Sequence, residues 1–180
     1  MRTAKTLRWL LVGGLVLLGG WFGVLVARGE EPGGIEEAWM LLGPPDLGPV
    51  DVATLARTRG DALACPPDHC RVRADIVAPT LPVSGERLRA IVAAVAAGEP
   101  RTERVFEDRW AEEDRYVARS KVLRLPDTIA VAIVGAGQGR ATLALYARPQ
   151  FALTDLGGNR ARLVRWLARI EALARDEAGR

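Results

Sequence analysis

Residues 128–148 read TIAVAIVGAGQGRATLALYAR, two β-rich runs joined by a glycine-rich hexapeptide. Two such runs on either side of a short turn predict a β-hairpin. The glycines also resemble a dinucleotide-binding loop, but such a loop must lead into a helix, and here a strand follows it. The stretch therefore predicts a hairpin in an antiparallel sheet and excludes a Rossmann fold.

The sequence around this hairpin predicts further strands and two helices. Residues 104–106 and 115–125 are strand candidates, with a turn at Pro126-Asp127. Ser84 is placed as the N-cap of a helix that Gly98 and Pro100 end. Its apolar stripe is formed by Leu88, Ile91, Val92 and Val95. A last helix over residues 156–175 has a stripe of Leu163, Trp166, Leu167, Ile170 and Leu173. We predict an α+β fold, a small antiparallel sheet covered by two helices.

The N-terminus contains an apolar run, WLLVGGLVLLGGWFGVLVA, over residues 9–27. Nineteen uncharged residues, at a rise of about 1.5 Å each, approach the roughly 30 Å of a bilayer core. A cleaved signal peptide is the alternative, but cleavage after Ala27 would place Leu25 where a small residue is preferred. Basic residues precede the run and glutamates follow it, which favours a cytoplasmic N-terminus.

These features predict a single-pass protein of a bacterial inner membrane. Its parts are a cytoplasmic basic tail (1–8), a transmembrane anchor (9–27), a linker (28–50) and a periplasmic α+β domain (51–180). Residues 35–42 have the spacing of a short amphipathic helix, which either packs on the domain or rests at the membrane surface. Lipid around the anchor and an envelope protein are the expected partners.

The charge distribution argues against nucleic-acid binding. The formal net charge is +3, and Arg2, Lys5 and Arg8 of the tail account for it. The remaining 22 basic residues are matched by 22 acidic ones. A nucleic-acid binder needs a basic patch on its folded domain, so we predict no nucleic-acid partner.

A stripe of small residues, Gly19, Gly23 and Ala27, lies along the predicted anchor. Such a stripe lets two membrane helices approach closely, which would support a weak homodimer. Glycine is also common in membrane helices that do not associate. Both interpretations stay open.

The stretch ACPPDHC, residues 64–70, holds both cysteines and the single histidine. In an oxidising compartment a disulfide between Cys65 and Cys70 is favoured. Free thiols and a metal or redox role are the alternatives. Structural zinc takes four ligands, whereas Cys65, His69 and Cys70 offer three. A thioredoxin-type centre has two residues between its cysteines, and this stretch has four. We predict no metal site.

Three runs carry a family resemblance: TDLGGNRAR (154–162), RYVARSKVLRLPDTIAVAI (115–133) and ATLALYARPQ (141–150). Together they resemble domain-of-unknown-function family 1499, over residues 61–174. The resemblance includes an earlier Cys-Pro…Cys segment, matched by Cys65, Pro66 and Cys70. Departures are Thr154 and Gly158 in the terminal run, His69 in the cysteine segment, and Ala147 and Pro149 beside Arg148. The family has no established activity, so the resemblance implies a fold and little chemistry.

The polar residues in these runs form the candidate site, which is either a structural corner or a ligand site: Tyr116, Arg119, Arg148, Asp155, Asn159 and Arg160. Thr154 or Asp155 is placed to cap the last helix, and a helix N-terminus with Arg160 could bind an anion. The carboxylates Glu107, Asp108, Glu112, Glu113 and Asp114 are interpreted as a solvated loop.

We find no catalytic constellation, and no cofactor is predicted. The predicted function is a non-enzymatic accessory or binding domain in the cell envelope. The alternative is an enzyme or small-ligand binder that uses Tyr116, Arg119, Arg148 and Asp155.

Overall fold

The structure, a computed structural model, describes residues 2–52, 54–67, 69–108, 110, 113–151 and 157–179. Its helices are α1 (Arg2–Arg28), α2 (Ile35–Met40), α3 (Gly85–Ala97) and α4 (Gly158–Ala178). Its strands are β1 (Ala62–Cys65), β2 (Ile76–Val77), β3 (Thr102–Glu107), β4 (Asp114–Arg119), β5 (Pro126–Gly135) and β6 (Ala141–Pro149). The predicted α+β class is confirmed.

The chain divides into two compact units. The first comprises Met1–Pro44 together with Ser120–Arg124, and the second comprises Pro45–Arg119 with Leu125–Arg180. The first unit contains α1, α2 and the segment that links β4 to β5. The second contains the sheet, α3 and α4.

In the first unit, α1 is long and apolar enough to cross a membrane. The window Leu11–Arg28 has a mean hydropathy of 1.8, and no residue of it is buried against protein. A signal sequence has the same properties, so length and composition alone do not distinguish the two. The predicted span is thus confirmed as a candidate only.

The sheet of the second unit has six strands in the order β2-β1-β6-β5-β4-β3. The β5–β6 hairpin predicted from the sequence is present, with Ile133 opposite Leu143 and Thr128 opposite Arg148. Its turn contains Gly137 and Gly139 at positive φ, a conformation that glycine adopts without steric cost. The glycine-rich hexapeptide is therefore a hairpin turn.

Two parts of the sheet differ from the sequence prediction. β1 and β2 were not predicted, and they pair in parallel, so the sheet is mixed. Pro126 and Asp127 begin β5 and do not form a turn. Proline fits the first position of a strand, and the Pro126 carbonyl still accepts a hydrogen bond from the Gln150 N–H. The predicted strand 115–125 ends earlier, at Arg119.

Both covering helices lie on one face of the sheet, over the main hydrophobic core. The side chain of Ser84 caps α3 by accepting a hydrogen bond from the Arg87 N–H, as predicted. The sheet contributes alternate residues to this core because successive strand side chains point to opposite faces. Core members from the sheet and helices include Ala62, Tyr116, Ile129, Leu143, Leu145, Leu88, Val92, Leu163, Trp166 and Ile170.

The stripe predicted on α4 is correct except at its end. Leu163, Trp166, Leu167 and Ile170 are buried, but Leu173 is 40% exposed. Ala174 takes the buried place instead, because after Ile170 the step of four residues, not three, returns to the core face. The helix begins after Gly157 (φ +84°), which has no side chain to cap it. Thr154 and Asp155, the predicted capping residues, lie outside the described residues.

Candidate functional site

On the second face of the sheet, segments of the chain before and after β1 pack against the strands. Residues Val52, Leu55, Cys65 and Tyr146 form a smaller core there with alternate residues of β1, β5 and β6. The disulfide predicted from the sequence lies at the edge of this core, with an S–S distance of 1.97 Å and Cα atoms 6.3 Å apart. A bond that closes so short a loop stabilises the fold by about 2 kcal/mol on chain-entropy reasoning.

The strap, residues 45–50, crosses this face and is fixed by polar side chains of the sheet. Thr128 Oγ1 accepts from the Leu47 N–H at 3.0 Å and donates to the Pro45 carbonyl at 3.1 Å. Arg148 Nη2 donates to the carbonyls of Leu47 and Gly48, at 3.0 and 2.6 Å. Arg148 of the predicted site therefore holds the strap in place.

A cleft lies between the strap, the disulfide loop and the β3–β4 hairpin. This cleft has a volume of about 770 Å³. Its lining combines apolar with polar residues: Pro49, Val50, Val52, Phe106, Ala132, Ile133 and Val134, and Asp51, His69, Asp108, Glu113 and Arg115. The volume lies within the range of ligand-binding pockets.

Arg115 organises one wall of the cleft. Its Nε lies 3.1 Å from both carboxylate oxygens of Asp46, and its Nη1 donates to Glu113 at 2.9 Å. The guanidinium also stacks over the Phe106 ring, 4.1 Å from its centroid, a cation–π contact. Burial lowers the pKa of Arg115, but the hydrogen bonds with Glu113 and Asp46 outweigh it and leave that pKa raised.

Glu113 connects this wall to the strap. Its second carboxylate oxygen accepts a hydrogen bond from the Val50 N–H at 3.1 Å. Both oxygens of Glu113 are therefore engaged by the protein, and Arg115 is paired with two carboxylates, which leaves the trio with one excess negative charge. The side chains of this wall are held by one another, which suits recognition better than proton transfer.

The acidic run of the β3–β4 hairpin is interpreted from the sequence as a solvated loop. The structure shows that this interpretation is wrong for part of the run. Asp114 is buried and pairs with Arg89 of α3. Asp108 and Glu113 line the cleft, while Glu107 is exposed. Glu112 lies outside the described residues.

The structure separates three of the predicted site residues. Tyr116 points into the helix-covered face, where its ring meets Trp166 edge-on at 5.7 Å. Burial raises the pKa of Tyr116 to about 12, and its hydroxyl has no hydrogen-bond partner in the described part of the chain. Arg119 lies on the opposite sheet face and pairs with Glu103 at 2.7 Å. Arg148 is on that same face, bound to the strap.

Two of the other predicted residues, Asn159 and Arg160, lie in the first turn of α4. Asn159 is fully buried, donates to the Gly60 carbonyl at 3.2 Å and accepts from Arg162. Arg160 is exposed and lines a second cavity of about 510 Å³ with Arg57, Arg73, Ala74 and Asp75. Asp155 lies outside the described residues. Asn159 thus joins α4 to the chain before β1, as a structural corner does.

A polar cluster that the sequence did not reveal surrounds Asp61. Its carboxylate accepts from Arg57, from the Thr58 N–H at 2.6 Å and from the Tyr146 hydroxyl at 2.8 Å. Burial raises the pKa of Asp61, but these hydrogen bonds outweigh it and leave the pKa lowered. The cluster fixes the segment before β1 to β6.

The fold and the cleft define an α+β domain, with a cleft on the sheet face opposite α3 and α4, in a chain that also carries a candidate membrane span. Comparisons with family models, curated proteins and solved structures gave no match to this chain. The resemblance to domain-of-unknown-function family 1499 therefore stays a prediction.

Proposed function

We propose that this chain is a single-pass protein of a bacterial inner membrane whose α+β domain lies in the periplasm and binds a ligand or envelope partner in the cleft of about 770 Å³. The anchor is α1. The basic residues Arg2, Lys5 and Arg8 before the span favour a cytoplasmic N-terminus. The cysteine pair at disulfide distance fits an oxidising compartment.

The observation that carries the binding role is the cleft itself. Its lining is partly apolar, and Arg115 and Glu113 in it are held in fixed positions by their ion pairs. Such preorganised walls fix the orientation of a bound group without being rearranged by it. The alternative is an enzyme or small-ligand binder that uses Tyr116, Arg119, Arg148 and Asp155 in one site. Tyr116 faces the opposite side of the sheet from the two arginines, which argues against that site.

The proposed topology predicts the activity of reporters fused after residue 180. Alkaline phosphatase is expected to be active there, because it needs the oxidising periplasm to form its disulfides. A reporter that is fluorescent or active only in the cytoplasm is expected to be silent at the same position. The reverse pattern would overturn the proposed topology. Equal expression of the two fusions, measured by immunoblot, is the control.

The proposed binding role predicts site-specific crosslinking in intact cells. Phe106 lines the cleft, so a photoreactive benzoyl-phenylalanine at this position is a conservative change in shape. Irradiation is expected to give a discrete adduct, whose mass distinguishes a small ligand from a protein. The matched control is the same residue at position 164, which is similarly exposed but lies on α4. No adduct at 106, or the same adduct at both positions, would contradict binding in the cleft.

A further inference from the structure

An exposed apolar surface lies in the unit that contains α1. It combines the end of α2 with the segment between β4 and β5, and we call it the juxtamembrane surface. Its members and their exposed fractions are Met40 (55%), Leu41 (87%), Leu42 (67%), Val122 (62%) and Leu123 (37%). We propose that this surface inserts into the interface of the bilayer that α1 spans, as a second membrane contact. The inference rests on the proposed anchor.

Specific contacts hold the two segments of this surface together. Trp39 Nε1 donates to the Leu123 carbonyl at 2.6 Å, across 84 residues of sequence. Arg124 lies 3.7 Å from a Glu36 carboxylate oxygen, and a Cβ added to Gly29, directly after α1, would lie 3.3 Å from the Arg124 guanidinium. Val122 and Leu123 are therefore fixed beside the α1–α2 corner.

The corner itself is tightly built, so it holds α2 in one arrangement with the end of α1. Ile35 is buried, and the Glu36 N–H donates to the Gly29 carbonyl at 3.3 Å. A Cβ added to Gly34 would lie only 2.4 Å from the Gly29 carbonyl oxygen, so a side chain cannot be accommodated without moving backbone. The apolar residues that follow α2 are thus tied to the membrane helix by short-range contacts.

Continuity with the span identifies the bilayer as the occupant. The candidate span ends at Arg28, and Leu41 follows only thirteen residues later. The apolar side chains of α1 are not buried by protein either. The apolar surface of α1 and the juxtamembrane surface belong to the same compact unit. Apolar side chains at an interface lie about 5–10 Å into the boundary between headgroups and acyl chains.

The polar groups of this unit are compatible with that position. Trp39 has an apolar ring with its N–H already bonded, and tryptophan is favoured at membrane interfaces. Lys121 precedes Val122 and can extend its ammonium to the headgroups. The Glu37 carboxylate accepts from the Gly33 N–H, and Glu36 lies beside Arg124.

The test measures the depth of single positions in the full chain reconstituted in phosphatidylcholine and phosphatidylglycerol vesicles. An environment-sensitive NBD dye is attached to a single cysteine introduced at Leu41, Val122, Leu17 or Gln138, with the native cysteines left oxidised. Leu17 reports the anchor, and Gln138 in the β5–β6 turn reports an exposed site of the domain. Quenchers are doxyl groups carried near the headgroup or near the end of the lipid chain, and aqueous iodide.

We expect blue-shifted emission at positions 41 and 122, with stronger quenching by the shallow doxyl group than by the deep one. Position 17 is expected to be quenched most by the deep group, and position 138 by iodide alone. Quenching at 17 with none at 41 and 122 would overturn the inference and leave the anchor standing. Protection of 41 and 122 from iodide without lipid quenching would mean that protein covers the surface, which also overturns it. No quenching at 17 would overturn both proposals.

Discussion

Replacement of Trp166 with alanine is expected to lower the free energy of unfolding by about 3–5 kcal/mol. The side chain has no exposed surface, and its ring contacts Tyr116 between α4 and the sheet. Removal of the indole leaves a cavity that rigid neighbours fill only in part. Urea unfolding of the full chain in detergent micelles, followed by circular dichroism, measures the change in midpoint at constant slope.

Two further variants separate cavity formation from the loss of an aromatic residue. Trp110→Ala makes the same chemical change at a residue that is 83% exposed, and it is expected to change stability by less than about 0.5 kcal/mol. Trp166→Phe fills more of the site and is expected to cost less than Trp166→Ala. The Trp166 indole N–H has no hydrogen-bond partner in the described part of the chain, so Trp166→Phe removes no hydrogen bond seen there. Equal losses for Trp166→Ala and Trp110→Ala would refute the docking of α4.

Features encoded in short stretches of sequence could be predicted. The β5–β6 hairpin is specified by two β-rich runs and a glycine turn, all within residues 128–148. The capping Ser84 and the periodic apolar residues of α3 and α4 are equally local signals. On α4 the structure gives Gly158–Ala178 where the sequence predicted 156–175. The error of Leu173 in place of Ala174 arose because a large apolar residue and a small one compete for the end of the stripe.

Features that depend on distant pairing could not be predicted. β1 and β2 are short, and they form strands through pairing, β1 with β6 and β2 with β1. Leu63 lies opposite Tyr146, across 83 residues of sequence. The four residues of β1 alone do not indicate which strand they pair with. Pro126 looked like a turn residue, but its pairing with Arg119 makes it the first residue of β5.

The candidate site shows the same limit. The sequence grouped Tyr116, Arg119 and Arg148 because they lie in recognisable runs, yet alternation along a strand places Tyr116 and Arg119 on opposite faces. The cleft instead takes its walls from the strap, the disulfide loop, the β3–β4 hairpin and β5. Arg115 and Asp46 meet across 69 residues. The signal available in the sequence is the dense run of carboxylates in the β3–β4 hairpin, which the sequence analysis interprets as a solvated loop.

Asp114→Ala is expected to lower the free energy of unfolding by about 3 kcal/mol, because it leaves the Arg89 guanidinium without its counter-charge. Arg89 Nε and Nη2 donate to the two Asp114 oxygens at 2.7 and 2.5 Å. The hydrogen bond with Asp114 is the main cause of the raised pKa of Arg89. The Arg89 side chain remains 21% exposed, so the loss falls at the lower end for a buried pair. The urea midpoint of the full chain in micelles measures it.

The cross-strand neighbour of Asp114 provides the matched control. Glu107 lies opposite Asp114 in the β3–β4 ladder and pairs with Arg104 in a solvent-exposed ion pair. Such a pair is worth about 0–1 kcal/mol, so Glu107→Ala is expected to have a small effect. The double variant Arg89→Met, Asp114→Ala removes both charges. It should lose less stability than Arg89→Met and Asp114→Ala together if the cost of Asp114→Ala comes from the unpaired guanidinium. If the two losses of stability simply add, the unpaired guanidinium is not the cause. The loss would then be assigned to the hydrogen bond that the Asp108 N–H donates to Asp114 at 3.3 Å.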